Sequence, residues 1–260
     1  MKYSLLQLAI LLTAVTASFN CSAEDLTVVS NVVSNGHPDG TETSYLTEDH
    51  IRRSEPKGTD MIIDLKTGTI TSIDVKKKTY FVTTRKDMEL MQAKMNERMS
   101  DPRMKQMMAA MQGMSSSMAA SAEVKKTGVS RKVAGYSCEE WLINMGGMMT
   151  MTECVTSDFK YPVQTLAALA DFNESMRKSM GGGFGANAKA GTDLAEKMKR
   201  IKGFPVATTT TVDAGVMKTT TSSEVIQVSH ASIPASTWEV PAAFTQVESP
   251  MMKSLQERGR

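Results

Sequence analysis

Residues 59–82 read TDMIIDLKTGTITSIDVKKKTYFV, and this stretch decides the fold. It contains three short runs of β-branched and aromatic residues, separated by the turn-forming sequences KTG and KKK. The segment from Asp64 to Ile70, DLKTGTI, is the clearest hairpin in the chain. The pattern predicts consecutive antiparallel strands that are joined by tight turns.

The same pattern extends outward on both sides of this stretch. Toward the N-terminus, strand-like runs recur about every ten residues, which predicts an antiparallel meander from Leu26 to Thr84. These runs are TVVSNVVS, TETSYLT, DHIRRSE, TDMIIDL, TITSIDV and TYFVTT. A second β block is predicted after Gly203, where Thr and Val runs are typical of a half-buried pleated surface. Its segments, FPVATTTTV, AGVMKTTTSSEVIQVS and STWEVPAAFTQVE, predict two or three more strands.

Between the two β blocks the hydrophobic period changes to that of a helix. From Arg85, methionines recur at steps of three and four residues, which places them on one helical face. Asp101-Pro102 then predicts the start of a second Met-rich helix, so that the insertion covers about residues 86–121. After a predicted disulfide hairpin at 135–159, a third helix is expected from Tyr161 to Met180, and a short fourth one over about 192–202.

The first residues are typical of a secretory signal peptide. Lys2 precedes an apolar run from Leu5 to Val15, which is about half of the ~20 residues that a membrane span needs. Small residues follow, and cleavage after Ala23 would start the mature chain at Glu24; cleavage after Ala17 is the alternative. Residues 1–23 are therefore expected to be removed, leaving a single periplasmic or secreted domain over 24–260 without a membrane-spanning segment.

The two cysteines that remain, Cys138 and Cys154, lie on either side of a turn at Gly146-Gly147. With a three-residue loop of Met145 to Gly147, cross-strand partners have residue numbers that sum to 292, which places the two cysteines directly opposite each other. An oxidising compartment permits them to form a disulfide. Two free buried thiols are the alternative.

Motifs of catalysis and of nucleic-acid binding are missing from the sequence. His37, His50 and His230 stand far apart, and neither a G-x-S-x-G elbow nor a Walker loop occurs. With 30 Lys plus Arg against 28 Asp plus Glu, the chain has no basic excess for nucleic acid. We therefore expect no enzyme, no cofactor and no nucleic-acid partner.

The most unusual feature of the composition is its 22 methionines. In the helices they could fill the core, since Met is unbranched and fits irregular gaps. They could also line an adaptable groove for lipophilic ligands, or bind Cu(I) through their thioethers, for which M-x-M at Met149 to Met151 is a candidate. The candidate groove residues are Met88, Met91, Met95, Met99, Met104, Met107, Met111, Met114 and Met118.

Three stretches together resemble a known family of extracytoplasmic proteins. Residues 59–82, GFPV at 203–206 and STWEVPAAF at 236–244 resemble the superfamily of lipoprotein carriers LolA, LolB and LppX, in a branch that is known only as a domain of unknown function. The order of β blocks and helices predicts a single α+β domain. The resemblance implies that its sheet is a strongly curved antiparallel one, an incomplete barrel, whose concave face is covered by helices. It also implies binding of acyl chains. The expected function is thus non-enzymatic binding of a lipophilic small molecule or a lipid-modified protein. A Met-rich Cu(I)-binding protein and a structural envelope protein with a filled core are the alternatives.

Overall fold

The computed structural model describes residues 25–98, 106, 122–158, 196–213, 215 and 217–257. Within them, strands dominate. The strands are β1 (Leu26–Ser34), β2 (His37–Leu46), β3 (His50–Ser54), β4 (Thr59–Asp64), β5 (Thr69–Asp74), β6 (Thr79–Thr83), β7 (Glu123–Val133), β8 (Tyr136–Met145), β9 (Met149–Thr156), β10 (Phe204–Asp213), β11 (Lys218–Ser229) and β12 (Thr245–Gln246). The helices are α1 (Arg85–Arg98), a 3-10 helix (Ala235–Trp238) and α2 (Pro250–Glu257), with one further helical turn at 196–198.

All twelve of these strands form one open sheet, in the order β12-β6-β5-β4-β3-β2-β1-β11-β10-β9-β8-β7. The two β blocks join where β1 pairs antiparallel with β11, with Thr27 opposite Ser229. Neighbouring strands are antiparallel throughout, except that β12 runs parallel to β6. The sheet is therefore mixed, and it combines both β blocks with the cysteine hairpin.

The expected fold class, an α+β fold with helices covering the concave face of an antiparallel sheet, is wrong. The described residues form a single large, open, mixed sheet with few helices, and those helices do not cover a face of it. The reason is that β1 and β11 supply a continuous pairing surface, so that the cysteine hairpin extends the sheet through β9 and β10 instead of lying among helices. The predicted helix at 161–180 and most of the insertion after Arg98 lie outside the described residues.

The first β block is as predicted, with six strands between Leu26 and Thr83. The DLKTGTI hairpin is confirmed, with Asp64 paired to Thr69. The Asp64 carboxylate accepts hydrogen bonds of 2.9 Å from the backbone N–H groups of Lys66 and Thr67, and Gly68 supplies the positive φ of 69°. Local side-chain to backbone hydrogen bonds of this kind are the reason that Asp favours turns.

The predicted change of period at Arg85 is confirmed by helix α1. Its start is stabilised by a reciprocal pair of hydrogen bonds between two side chains and the backbone. The Thr84 N–H donates to the Asp87 carboxylate at 2.8 Å, and the Asp87 N–H donates to the Thr84 hydroxyl at 3.2 Å. The hydrogen bonds from Thr84 hold the pKa of Asp87 below its ordinary value. This is a capping box in which Asp takes the usual place of Glu.

The tail STWEVPAAFTQVE contains a strand, as predicted, but the strand is short. Only Thr245–Gln246 is a strand, and Ala235–Trp238 is a 3-10 helix that packs on β3. Pro234 and Pro241 on either side have no N–H group to donate to a strand ladder, which explains the interruption. Trp238 stacks on His50 with ring centroids 5.2 Å apart.

The Cys138–Cys154 disulfide is confirmed, with its Cα atoms 5.3 Å apart, but the predicted register is wrong. Met145 pairs with Met149, so partner numbers sum to 294 and Cys154 lies opposite Glu140. The loop therefore consists of residues 146–148. Gly146 and Gly147 have φ angles of 62° and 78°, and the Gly147 N–H donates to the Asn144 side chain at 3.0 Å. The turn thus begins one residue later than the sequence predicts.

The sheet bends strongly at its β7 end. Strands β7 and β11 are in contact, although β8, β9 and β10 separate them in the sheet. Four strand spacings of about 4.8 Å would hold these strands far apart if the sheet were flat. Instead, the Arg131 guanidinium forms a 2.8 Å salt bridge with Glu224 on β11. The disulfide lies inside this bend, with Cys138 and Cys154 only 3% and 2% exposed.

Candidate functional site

The strand registers divide the side chains of the sheet between two faces. On one face, Val28 lies opposite Ser44, and Thr208 lies opposite Ser223; we call this the groove face. The other face carries Cys154 and its partner Ala207, and we call it the disulfide face. Because side chains alternate along a strand, each strand contributes to both faces.

A groove of about 390 Å³ lies on the groove face, across the five neighbouring strands β3, β2, β1, β11 and β10. This volume is within the range of small-molecule sites, which is about 300–1,000 Å³. Its described lining residues are Val28, Ser30, Glu42, Ser44, Leu46, Arg53, Phe204, Pro205, Val206, Thr208, Thr210, Thr221, Ser223 and Val225. The groove crosses the junction of the two β blocks, so neither block contains it alone.

The two ends of the groove differ in polarity. One end is apolar, since Val28, Leu46, Val206 and Val225 are at most 5% exposed and Phe204 packs against them. Hydroxyl groups line the opposite end. These hydroxyl groups belong to the next groove-face positions of β1, β10 and β11, namely Ser30, Thr208, Thr210, Thr221 and Ser223. The groove is therefore amphipathic along the direction of its strands.

The charged groups of the groove are Arg53 on β3 and Glu42 on β2. They form a 2.6 Å salt bridge, and the Arg53 side chain is 49% exposed while that of Glu42 is 16% exposed. Exposed ion pairs of this kind contribute only about 0–1 kcal/mol to stability. The guanidinium has five N–H donors and its side chain is half exposed, so it can contact an anionic group of a ligand while Glu42 stays bound.

A second hollow, of about 470 Å³, lies near the β7 end of the sheet. It is lined by side chains of β7, β8 and β9 and by Arg200 and Lys202. Lys126 lies over the ring of Trp141 at 5.4 Å and also forms a salt bridge with Glu139. Trp141 is only 7% exposed, so its ring forms one side of the hollow but is not accessible for stacking with a ligand.

Glu153 on β9 lies on the groove face between the two hollows. Its cross-strand partners are Trp141 on β8 and Thr208 on β10. Burial raises the pKa of the Glu153 carboxyl above its ordinary value of 4.5, because the charged form loses hydration. This carboxyl makes the region between the hollows sensitive to pH.

The wild type is expected to lose stability as pH rises, because the buried Glu153 carboxyl becomes charged. The Glu153→Gln variant should not show this loss. The pKa of Glu153 in the folded protein lies above its ordinary value of 4.5. The contribution of the protonated carboxyl to the free energy of unfolding is therefore complete below pH 4.5, and it is lost as pH rises through the pKa of the folded state. Urea unfolding between about pH 4 and pH 8 should show the variant gaining stability over the wild type toward neutral pH. Glu89→Gln, at an exposed position of α1, is the control and should follow the wild-type profile. An unchanged profile in Glu153→Gln would contradict this interpretation.

The predicted groove residues are only partly within the described structure. Met88 is buried at 5% exposure, Met91 is half-buried, and Met95 lies on α1. Neither Met88 nor Met91 lines the groove or the second hollow. Outside the described residues lie Met99, Met104, Met107, Met111, Met114 and Met118. Whether the methionine helices line a ligand site stays a prediction.

The groove could not be predicted from the sequence, because its residues come from strands that are distant in the chain. Ser30 on β1 and Val225 on β11 are direct partners in the sheet. The sequence contained one signal, the β-branched runs TVVSNVVS and TTTT at 208–211. These runs predict strands, but they do not indicate which strands are neighbours in the sheet.

In the part of the chain that the structure describes, no three His, Cys, Asp or Glu side chains are grouped as a metal site would require. Over the same residues, no helix has the length and apolar character needed to cross a membrane.

The fold and site define a protein of one large open sheet with an amphipathic groove. A family model described as "Domain of unknown function (DUF4412)" matches residues 43–244. The chain belongs to this family. The prediction of a domain of unknown function is thereby confirmed. No curated protein matches the sequence.

Distant similarities to solved structures accompany the family match. PNGF-II has a TM-score of 0.40 at 10% identity, with 92% of this chain and 34% of that chain covered. MucB has a TM-score of 0.39 at 10% identity, with 85% of this chain and 58% of that chain covered. MucB in complex with MucA(peri) has a TM-score of 0.32 at 11% identity, with 86% of this chain and 57% of that chain covered. The wider relationship to LolA, LolB and LppX stays a prediction.

Proposed function

We propose that this protein is a non-enzymatic, extracytoplasmic binding protein that holds an amphipathic ligand in the groove. The ligand is a lipophilic small molecule or the lipid group of a modified protein. The observation that carries the proposal is the polarity gradient, from the apolar end around Val206 to the hydroxyl-lined end around Ser223.

Ligand binding would be driven by the interactions that also drive folding, namely burial of apolar surface and hydrogen bonding. An acyl chain at the apolar end gains about 25 cal/mol for each Å² of apolar surface removed from water. The hydroxyl groups at the other end satisfy the polar part of the ligand, and Arg53 offers a cation to an acidic head group. This arrangement orients the ligand, with its polar end toward Ser223 and Arg53.

The location outside the cytoplasm is supported by two features. The Cys138–Cys154 disulfide is typical of proteins from oxidising compartments. The N-terminal residues have the charge and apolar pattern of a signal peptide.

A binding role without catalysis is supported by the chemistry of the groove. Its described lining carries Ser and Thr hydroxyls, one carboxylate and one guanidinium. A hydroxyl nucleophile needs an adjacent general base. The carboxylate, Glu42, is instead held by Arg53 at 2.6 Å.

A substitution that fills the groove tests the proposal. Ser223→Phe places an aromatic ring in the groove, whereas Ser222→Phe places the same ring on the disulfide face one residue away. Both serines are half-buried, and Phe suits a strand. Titration with a fluorescent fatty acid should show binding by the wild type and by Ser222→Phe. The Kd of Ser223→Phe should rise by about tenfold or more, since the ring occupies the ligand's volume.

Circular dichroism and urea unfolding of both variants establish that they are folded. Failure of the wild type to bind the fatty acid would reject the acyl-chain ligand. Equal weakening by Ser222→Phe and Ser223→Phe would show that the probe binds elsewhere.

A further inference from the structure

A cluster of thioether side chains lies at the turn of the β8–β9 hairpin, apart from the groove. Met145 and Met149 are direct cross-strand partners that close the turn. Met151 is two residues further along β9, opposite Ile143 on β8 and Thr210 on β10. Since Thr210 lines the groove, the registers place all three methionines on the groove face; we call them the thioether cluster.

The spacing of these positions allows their sulfur atoms to meet. Directly opposed side chains in an antiparallel pair have Cβ atoms about 4.5–5.5 Å apart, and diagonal neighbours are about 7–8 Å apart. Long side chains span the diagonal distance. Met145 and Met149 form the direct pair, and Met145 and Met151 form the diagonal one. Three flexible thioethers can therefore converge on one small ion.

A fourth thioether comes from another part of the chain. Met198, the last residue of the helical turn at 196–198, packs with Met145 and Met151 against the same buried residues. The buried residues of this cluster are Val124, Trp141, Ile143 and Val155. The surroundings are therefore of low polarity on the sheet side, and Trp141 lies within the same packed group.

We propose that the thioether cluster, with Met198, is a binding site for Cu(I). Thioether sulfur is a soft donor that selects Cu(I), whereas Mg²⁺, Ca²⁺ and Mn²⁺ require oxygen ligands. Thiolates do not compete at this position, because Cys138 and Cys154 are joined in the disulfide. The site is independent of the amphipathic ligand proposed for the groove.

Access to the site is open at the turn. Each residue of the thioether cluster is only half-buried, and Met148 in the loop is 37% exposed. On the neighbouring turn, Met217 is 69% exposed. The two turns are joined by a 2.8 Å hydrogen bond from the Asp213 N–H to the Met148 carbonyl. A metal ion can therefore reach the cluster without an opening of the sheet.

The experiment uses the full mature chain and the fluorescence of Trp141. The chain contains two tryptophans, so Trp238→Phe leaves Trp141 as the only one, and all variants are made in that background. The probes are Ag(I), a soft ion that needs no reductant, and Cu(I) supplied as its acetonitrile complex under nitrogen, so that the disulfide stays intact. Either ion is expected to quench Trp141 and to saturate at one ion per chain for this signal.

The test variant replaces Met145, Met149 and Met151 by Leu. Leu has a similar volume but no sulfur donor, and volume-conserving swaps between Met and Leu are well tolerated in protein interiors. The affinity for both ions measured by quenching is expected to fall by more than about a hundredfold. The matched control replaces Met61, Met91 and Met252 by Leu, at positions outside the cluster, and should bind as the parent does.

Several results would overturn the proposal. These are the absence of quenching in the parent, binding of Ag(I) without Cu(I), and equal affinities in the test and control variants. Urea unfolding of the test variant separates loss of metal binding from loss of folding. If the test variant is unfolded, the single substitution Met149→Leu is used, and an unchanged affinity in that variant would also overturn the proposal.

Discussion

Reduction of the Cys138–Cys154 disulfide is expected to lower the free energy of unfolding by about 3 kcal/mol. The bond closes a loop with a sequence separation of 16, and in the chain-entropy model a loop of this size contributes about that amount. Both cysteines are buried inside the bend where the Arg131 salt bridge joins β7 to β11. Release of the bond therefore removes the covalent constraint on this bend of the sheet.

Urea unfolding of the protein with and without a reductant measures this effect. The double variant Cys138→Ala with Cys154→Ala is the control, and its midpoint should not respond to the reductant. A wild-type midpoint that is equally insensitive would show that the disulfide adds nothing to stability. The same measurement at low and high salt reports on the Arg131–Glu224 salt bridge. If the stability of the reduced wild type no longer depends on salt, formation of this salt bridge requires the disulfide.

Replacement of Leu26 by Ala is expected to destabilise the protein by about 2–5 kcal/mol. Leu26 is 0% exposed, at the first position of β1, where it faces Leu46 on β2. It belongs to the buried cluster that also contains Val206 of β10, so its side chain packs between the two β blocks. Truncation leaves a cavity at the junction that holds the sheet together.

Leu90→Ala is the matched control, since Leu90 is 44% exposed on α1 and the chemical change is the same. Its effect should stay within about 0.5 kcal/mol, as for most surface substitutions. Thermal and urea unfolding measure both variants. A cost for Leu26→Ala below that of Leu90→Ala would refute the placement of Leu26 in the core.

Prediction from the sequence succeeded where contacts are local. The hairpin from Asp64 to Ile70 and the start of α1 at Arg85 depend on side chains within a few residues of each other. In both places an aspartate binds nearby backbone N–H groups, and that preference is encoded in the sequence itself. The pairing of Cys138 with Cys154 was predictable for the same reason, because one turn connects them.

Prediction failed where the position of a turn, shifted by a single residue, sets the register of two paired strands. The loop of the cysteine hairpin consists of residues 146–148, and this choice shifts every cross-strand pair of β8 and β9 relative to the expected register. Both glycines adopt a positive φ, and the Asn144 side chain accepts a hydrogen bond from Gly147. Two glycines permit several turns, so the sequence alone does not select among them.

The sequence by itself determined which segments form the strands up to β11, where the helix after Thr84 begins, and which cysteines pair. These features depend on turn chemistry and on the alternation of side chains, which act over short distances along the chain. Only the tertiary structure decided that β1 pairs with β11, which turns two β blocks into one open sheet and places Ser30 beside Val225 in the groove. The physical reason is that alternation specifies the face of a residue and not the neighbour of a strand. That choice depends on the burial of apolar side chains from distant segments, such as Leu26 with Val206, and it emerges only when the whole sheet packs.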